Sequence, residues 1–208
     1  MGREPSRLPA LLFPLSLTLC SCGAGTRSPA ANPAQQGATG AVVANLTPPP
    51  GAALEQACTP TGPELCFNAV DDNCNGVIDE GCGEETGVLQ FTIAWGSSRA
   101  DVNLALETPD HVRVHQPQAR PTGAAGCTLD RDCPRADTCR GQNVENIHCE
   151  APEPMPGHYV VEITLGQLNG AEEPVKVHFG ARLAGRTTGF DVMLSTEEPK
   201  KTFSFDVK

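Results

Sequence analysis

The densest set of oxygen donors in the chain is the run Asp71-Asp72-Asn73-Cys74-Asn75-Gly76-Val77-Ile78-Asp79-Glu80. Asp71, Asn73 and Asn75 stand at loop positions 1, 3 and 5, and Gly76 at position 6 permits a sharp turn. Val77 can offer its carbonyl at position 7, Ile78 can anchor on apolar surface, and Asp79 stands at position 9. Carboxylate, amide and carbonyl oxygens are hard donors, so this spacing suits the capture of one hard cation. Position 12 is Cys82, where such a loop needs a bidentate carboxylate, so that ligand must come from Glu80 or from elsewhere. Residues 58–85 hold seven acids and no Lys or Arg, an imbalance that a divalent cation would relieve. Two rival readings stand beside it. One is a stapled acidic turn whose Asx side chains cap their own backbone, and the other is a transition-metal site.

The ligand spacing is that of an EF-hand calcium loop. With its cysteines, Cys66-Phe67-Asn68-Ala69-Val70 followed by the acidic run and Gly81-Cys82 resembles the metal-binding motif repeated in MopE-type bacterial surface proteins. It is also similar to the calcium loops of thrombospondin type 3 repeats. The resemblance covers about residues 58–83 and rests on Asp71, Asp72, Cys74, Gly76, Asp79 and Glu80. It implies calcium or copper as the bound ion. Oxygen ligands without a nearby His favour calcium over copper or another transition metal. A single loop with this donor set is expected to bind at about 10⁻⁴–10⁻³ M, as extracellular modules do.

The acidic run must be held in shape, and cysteines surround it. Of the ten in the chain, Cys20 and Cys22 belong to the N-terminal leader. The rest form two clusters of four: Cys58, Cys66, Cys74 and Cys82, then Cys127, Cys133, Cys139 and Cys149. Even clusters in an exported chain are expected to be disulfides. Structural zinc is the rival, but no CxxC knuckle occurs. Each cluster allows three pairings, and spacing does not choose among them.

Beyond Glu85 the hydrophobic pattern has period two. Leu89/Phe91/Ile93/Trp95, Val102/Leu104/Leu106, Val112/Val114 and Tyr159/Val161/Ile163/Leu165 each line one face of a strand. Val175/Val177/Phe179, Phe190/Val192/Leu194 and Phe203/Phe205/Val207 complete about seven short strands. The fold class expected is mainly β, an antiparallel β-sandwich over 86–208 with one buried face per sheet. Residues 117–156 interrupt the alternation. Cys127-Thr-Leu-Asp-Arg-Asp-Cys133-Pro-Arg-Ala-Asp-Thr-Cys139 is similar to small secreted disulfide knots, so 121–150 is read as a knot inserted between two strands.

Trp95, Asp101-Val102-Asn103-Leu104, Val144-Glu145-Asn146-Ile147 and Pro156-Gly157-His158-Tyr159-Val160-Val161 resemble the YfaP-type, prepeptidase C-terminal-like sandwich. That resemblance spans about 87–208 and implies an accessory binding or stabilising module. A second candidate cation site gathers Asp101, Asn103, Glu145 and Asn146, where an acid-bearing strand would meet the middle loop. The alternative is that these polar residues make turn hydrogen bonds at strand ends.

The N-terminal part carries an address rather than a core. Arg3 and Arg7 precede the apolar run Leu8–Leu19, too short and too Pro-broken to span a bilayer, so 1–21 reads as an export signal. Leu19-Cys20-Ser21-Cys22 resembles a bacterial lipobox, which implies lipid attachment at Cys22. With Gly23 rather than Asp next, the resemblance points to the outer membrane or cell surface. An ordinary secretory signal is the alternative. Residues 22–57 are mostly Ala, Gly, Pro, Thr, Gln and Asn and are expected to form a disordered tether.

Function classes can now be narrowed. The net charge is −10 with no basic stripe, which argues against a nucleic-acid partner. No GxSxG, HExxH, GxGxxG or P-loop occurs, and the five histidines are scattered and read as solvated surface residues. A non-enzymatic surface lipoprotein is expected, with a calcium-stiffened acidic loop at 58–85 ahead of the sandwich. Its partners would be the membrane, through the lipid, and a cell-surface protein or polysaccharide. The alternatives are an adhesive or carbohydrate-binding protein and a transition-metal-binding protein; Trp95 and Tyr159 fall in core parity, which weighs against sugar stacking.

Overall fold

The computed structural model describes residues 46–55, 58–96, 99–134, 139 and 141–208. The expected export signal at 1–21, the expected lipid attachment at Cys22 and the expected tether up to residue 45 lie outside the described residues.

Strands β1 (Leu89–Trp95), β2 (Asp101–Glu107), β3 (Arg113–Val114), β4 (Cys127–Asp132) and β5 (Val144–Cys149) are followed by β6 (Gly157–Gln167), β7 (Val175–Leu183), β8 (Arg186–Leu194) and β9 (Lys200–Val207). They build a five-stranded sheet in the order β4-β5-β1-β7-β8 and a four-stranded sheet in the order β3-β2-β6-β9. Every neighbouring pair is antiparallel. The mainly β, two-sheet architecture is therefore the one expected, and all seven alternating runs form strands.

The apolar residues of those runs meet between the sheets. Phe179 and Phe203 lie with ring centroids 4.7 Å apart, Phe190 and Phe203 5.0 Å, and Tyr159 and Phe205 5.0 Å. Trp95 and Tyr159 are buried in the same core. The Tyr159 hydroxyl donates to the Met155 carbonyl at 2.8 Å, so burying the ring leaves no polar atom unpaired.

Residues 121–150 depart from the expected inserted knot, because they supply β4 and β5 to the sheet itself. Cys127 and Cys149 face each other in the β4–β5 register and are bonded, while Cys133–Cys139 closes the turn between the strands. The pattern hid β5 because Glu145, Asn146 and His148 read as exposed, yet all three are buried.

Nor does each sheet bury only one face. Strand β1 is buried along both sides, with Leu89, Phe91, Ile93 and Trp95 inward and Gln90, Thr92 and Ala94 outward. The acidic module 58–85 covers the outward side. A Cβ on Gly180 of β7 would lie 2.0 Å from the Ala69 carbonyl oxygen and 3.1 Å from Ile78 Cδ1. Only glycine lets the module's backbone settle so closely on the sheet. Ile78 anchors there at 1% exposure, and Gln90 Nε2 donates to its carbonyl at 3.2 Å.

The C-terminal part of the expected tether is ordered against the sandwich, which corrects its boundary at 57. Leu46 is buried in the main core, with Ala52 and Leu54 packed against it. The Glu55 amide donates to the Gly189 carbonyl at 2.8 Å, and Thr188 Oγ1 donates to the Glu55 carbonyl at 2.7 Å. Residues 46–55 thereby cover part of the open edge of β8, where unpaired backbone groups would otherwise face outward.

Candidate functional site

The acidic loop is stapled by Cys58–Cys74 and Cys66–Cys82, two bridges of equal span that interlock. Inside them the Asx side chains shape the turn. Asp71 Oδ1 accepts from the Asn75 amide at 3.0 Å, and Oδ2 accepts from the Gly76 amide at 2.9 Å. Asn73 Oδ1 accepts from the Asn75 amide and Asn75 Oδ1 from the Val77 amide, both at 2.9 Å. Gly76 has φ +88° and its Cα faces the Gly185 carbonyl, where a Cβ would come within 2.8 Å. Thr187 Oγ1 of β8 donates to Asp71 Oδ2 at 2.8 Å, tying the head of the loop to the sheet.

Asp71, Asn73, Asn75 and Glu80 are brought together, whereas Asp79 is turned elsewhere. Its Oδ1 accepts from the Phe67 and Asn68 amides at 2.6 and 3.3 Å, and its Oδ2 from the Ala69 amide at 3.0 Å. Phe67 and Ala69 both have positive φ, so the Asp79 carboxylate holds a turn that the backbone alone disfavours. The Val77 amide belongs to the Asx ladder.

Glu64 is the residue that spacing did not reveal. Its Oε1 accepts from the Asp79 amide and its Oε2 from Asn73 Nδ2, each at 3.0 Å. Glu80 Oε1 accepts from the side-chain amides of both Asn73 and Asn75. Two carboxylates thus converge on one amide, and burial, with the Glu80 charge second, pushes Glu64 up to about 7. Glu80 Oε2 is buried without a hydrogen-bond partner. The disulfides explain the omission: Glu64 lies outside the ten-residue run, and Cys66–Cys82 folds its segment back alongside it.

The second candidate site is split. Asn146 faces outward from β5, where Asn146 Oδ1 accepts from Thr92 Oγ1 at 2.8 Å and Nδ2 donates to Asp130 and to the Glu85 carbonyl. Glu145 points the opposite way, into the space between the sheets, and its Oε2 accepts from the Leu104 amide of β2 at 2.6 Å. Asp101 lies close enough for its charge to act on Glu145, and Asn103 sits beside Asp101 over Gly166. Asp132, absent from the expected set, stands opposite Glu145 in the β4–β5 register.

His148, expected as a solvated surface residue, is buried between two carboxylates. Its Nδ1 lies 3.1 Å from Asp130 and its Nε2 3.2 Å from Glu150. Burial opposes its charge, but those two hydrogen bonds outweigh it and raise the imidazole above its ordinary value. His178 is half-buried and lines a cleft of about 370 Å³ with Glu55, Asp71, Ile78 and Thr187, its Nδ1 held 2.9 Å from Asp191.

Among the described residues, no three His, Cys, Asp or Glu side chains gather closely enough to hold a metal ion by themselves. Any cation in the acidic loop would therefore draw on amide oxygens as well as carboxylates. No protein-family model, curated protein or solved structure matches this chain.

Proposed function

We propose that the chain is a non-enzymatic, lipid-anchored surface module whose acidic loop is stiffened by calcium and whose sandwich serves as a binding or structural platform. The observation that carries the reading is the pairing of Glu64 with Glu80, with one buried Glu80 oxygen left unpartnered. Asp71, Asn73, Asn75, Glu80 and Glu64 would hold the ion, and Glu64 supplies the carboxylate that Cys82 cannot. Calcium would contribute charge neutralisation and rigidity. The chain's own Asx hydrogen bonds and two disulfides already set the turn, so little ordering remains for the ion to impose. Because Asp71 is bonded to Thr187 and Ile78 is buried on the sheet, cation occupancy would also stabilise the contact between loop and sandwich. Export with lipid at Cys22 would place this module at the outer membrane or cell surface, facing a protein or polysaccharide partner. An adhesive role based on sugar stacking finds no support in Trp95 or Tyr159, which are buried.

The decisive experiment is a calorimetric calcium titration of the oxidised full chain, because the loop is docked and not autonomous. Saturable binding near 10⁻⁴–10⁻³ M, weakened at least about tenfold in Glu80→Gln, is expected. No heat at millimolar calcium would sink the reading, and retention of copper in preference to calcium would shift it to transition-metal binding.

A further inference from the structure

The root of the acidic module, Gly83 to Glu85, is gripped by side chains of the β4–β5 hairpin. Asp130 Oδ2 accepts from the Glu85 amide, and Asn146 Nδ2 donates to the Glu85 carbonyl, each at 2.9 Å. Both backbone groups of Glu85 are thereby taken up, one by a β4 side chain and one by a β5 side chain. Asn146 Nδ2 also donates to Asp130 Oδ1 at 2.7 Å, and Arg131 Nη2 donates to the Gly83 carbonyl at 3.0 Å. Asp130 is the centre of this grip, and its side chain is only 8% exposed.

His148 stands behind Asp130 on the outward side of β5. Its Nδ1 lies 3.1 Å from Asp130 Oδ1 and its Nε2 3.2 Å from Glu150 Oε1. A neutral imidazole has one donor nitrogen and one acceptor, whereas a carboxylate only accepts. Asp130 already takes donors at both oxygens, and Glu150 is open to water at 76% exposure. Both ring nitrogens of a residue that is 1% exposed must therefore donate, and the ring is an imidazolium. Across the ladders His148 faces Thr128 of β4 and Gln90 of β1, neither of which titrates. Next to Gln90 comes Arg182 of β7, whose Nη1 donates to the Gly87 carbonyl. On the module side Glu85 is exposed, while Glu84 is buried 3.9 Å from Arg131 Nε and feels the Asp130 charge. Among the described residues, His148 is the one cation paired with Asp130.

We propose that His148 is a pH-sensitive clasp: its imidazolium is the counter-ion that lets buried Asp130 grip Glu85, and its deprotonation loosens the root of the acidic module while the sandwich stays folded. When the proton leaves, one ring nitrogen changes from donor to acceptor. Glu150 can turn into water, so the neutral ring keeps its remaining proton for Asp130. The Asp130 charge is then buried beside Glu84 without a cation in contact. Water reaches it if Gly83 to Glu85 lift away, so alkali drives the root outward. Burial opposes the His148 charge, but the hydrogen bonds to Asp130 and Glu150 outweigh it and hold the imidazole above its ordinary 6.5. A raised folded value means that the clasp contributes fully below the unfolded value and fades as pH rises through the folded one. Asn146 spends its amide on Thr92, Asp130 and Glu85, and no residue assigned to calcium takes part, so the clasp stands with or without that ion.

The test uses the oxidised full chain in calcium-free buffer. Nitrogen-15 NMR of His148 at about pH 6.5 should show two protonated ring nitrogens. Asp130→Asn should return the titration of that ring toward the ordinary histidine range. Hydrogen exchange, corrected for its intrinsic pH dependence, reads the clasp itself. Between about pH 6.5 and 9 the Glu85 amide should lose protection by roughly tenfold or more relative to amides of β1 and β7, the size expected for one charge-assisted hydrogen bond. Glu84→Gln removes a second buried group that titrates in that range, and the loss should persist in it. His148→Gln keeps one donor for Asp130 and cannot titrate, so its Glu85 protection should stay level. A singly protonated ring at pH 6.5, or level Glu85 protection in the unaltered chain, would overturn the proposal. A loss that vanishes in Glu84→Gln would assign the effect to Glu84 and overturn it equally. If His148→Gln does not fold, the unaltered chain and Glu84→Gln decide the matter.

Discussion

Replacing Glu84 by Gln should make the protein more resistant to alkali, by an amount that the structure bounds. The Glu84 side chain is fully buried at the end of the acidic module, and neither of its oxygens has a hydrogen-bond partner. Its nearest cation is the Arg131 guanidinium, with Nε 3.9 Å away. Burial first, and the Asp79 charge second, push this carboxyl up from 4.5 to about 8. Below the unfolded value, both folded and unfolded chains hold the proton and the residue has no pH-linked effect. Between the two values the folded chain keeps a proton that the unfolded chain releases, so stability falls as pH rises; above about 8 the loss is complete. At 1.36 kcal/mol per pH unit, the gap sets a ceiling of about 5 kcal/mol above pH 8 and about 3 kcal/mol at pH 7. A buried amide without partners costs about 1–3 kcal/mol at every pH. The variant should therefore be somewhat less stable than the parent near pH 4.5 and more stable near pH 9. Urea denaturation followed by Trp95, the one tryptophan, measures this at about pH 4.5, 7 and 9. A stability difference that stays flat across that range would refute the reasoning, because it would mean that Glu84 is ionised in the fold and satisfied by Arg131.

Ile78→Ala removes the side chain that seats the acidic module on the sheet, and should cost roughly 2–4 kcal/mol in denaturant unfolding, with earlier proteolytic nicking of 58–85. Gly180→Ala should do comparable damage by steric means, since its new methyl would meet the Ala69 carbonyl at 2.0 Å; wild-type stability in that variant would show that the module does not dock there. Replacing Cys127 and Cys149 together by Ser should cost about 3 kcal/mol, against about 2 for Cys133 and Cys139, because the first pair closes the longer loop, 22 residues against 6. Equal losses in thermal unfolding would show that strain rather than loop length governs the difference.

Alternation along β1, β2 and β6 to β9 was legible because it is local: in each strand the apolar residues recur at every second position and turn to the core, whatever strand lies beside it. The turn chemistry of Asp71, Asn73, Asn75 and Gly76 was legible for the same reason, since neighbours in sequence supply the partners, and the pairing of eight cysteines was legible from their even clusters. Strands β4 and β5 were not, because Asn146 and His148 are buried only by grace of Thr92, Asp130 and other residues far along the chain. Glu64 likewise joins Glu80 only after Cys66–Cys82 has closed, and the opposition of Asp132 and Glu145 exists only in one strand register.

By itself, then, the sequence determined the β class, seven of the nine strands, the cysteines that pair off and the Asx turn of the acidic loop. The tertiary structure alone decided which cysteines bond, that the acidic module forms a third layer over Gly180, that residues 46–55 cover part of the β8 edge, and where Asp79 and Glu145 point. The physical reason is that a polar side chain's preference for water is written in its own chemistry. The partner that lets it be buried is set by register between distant segments, which no local pattern records.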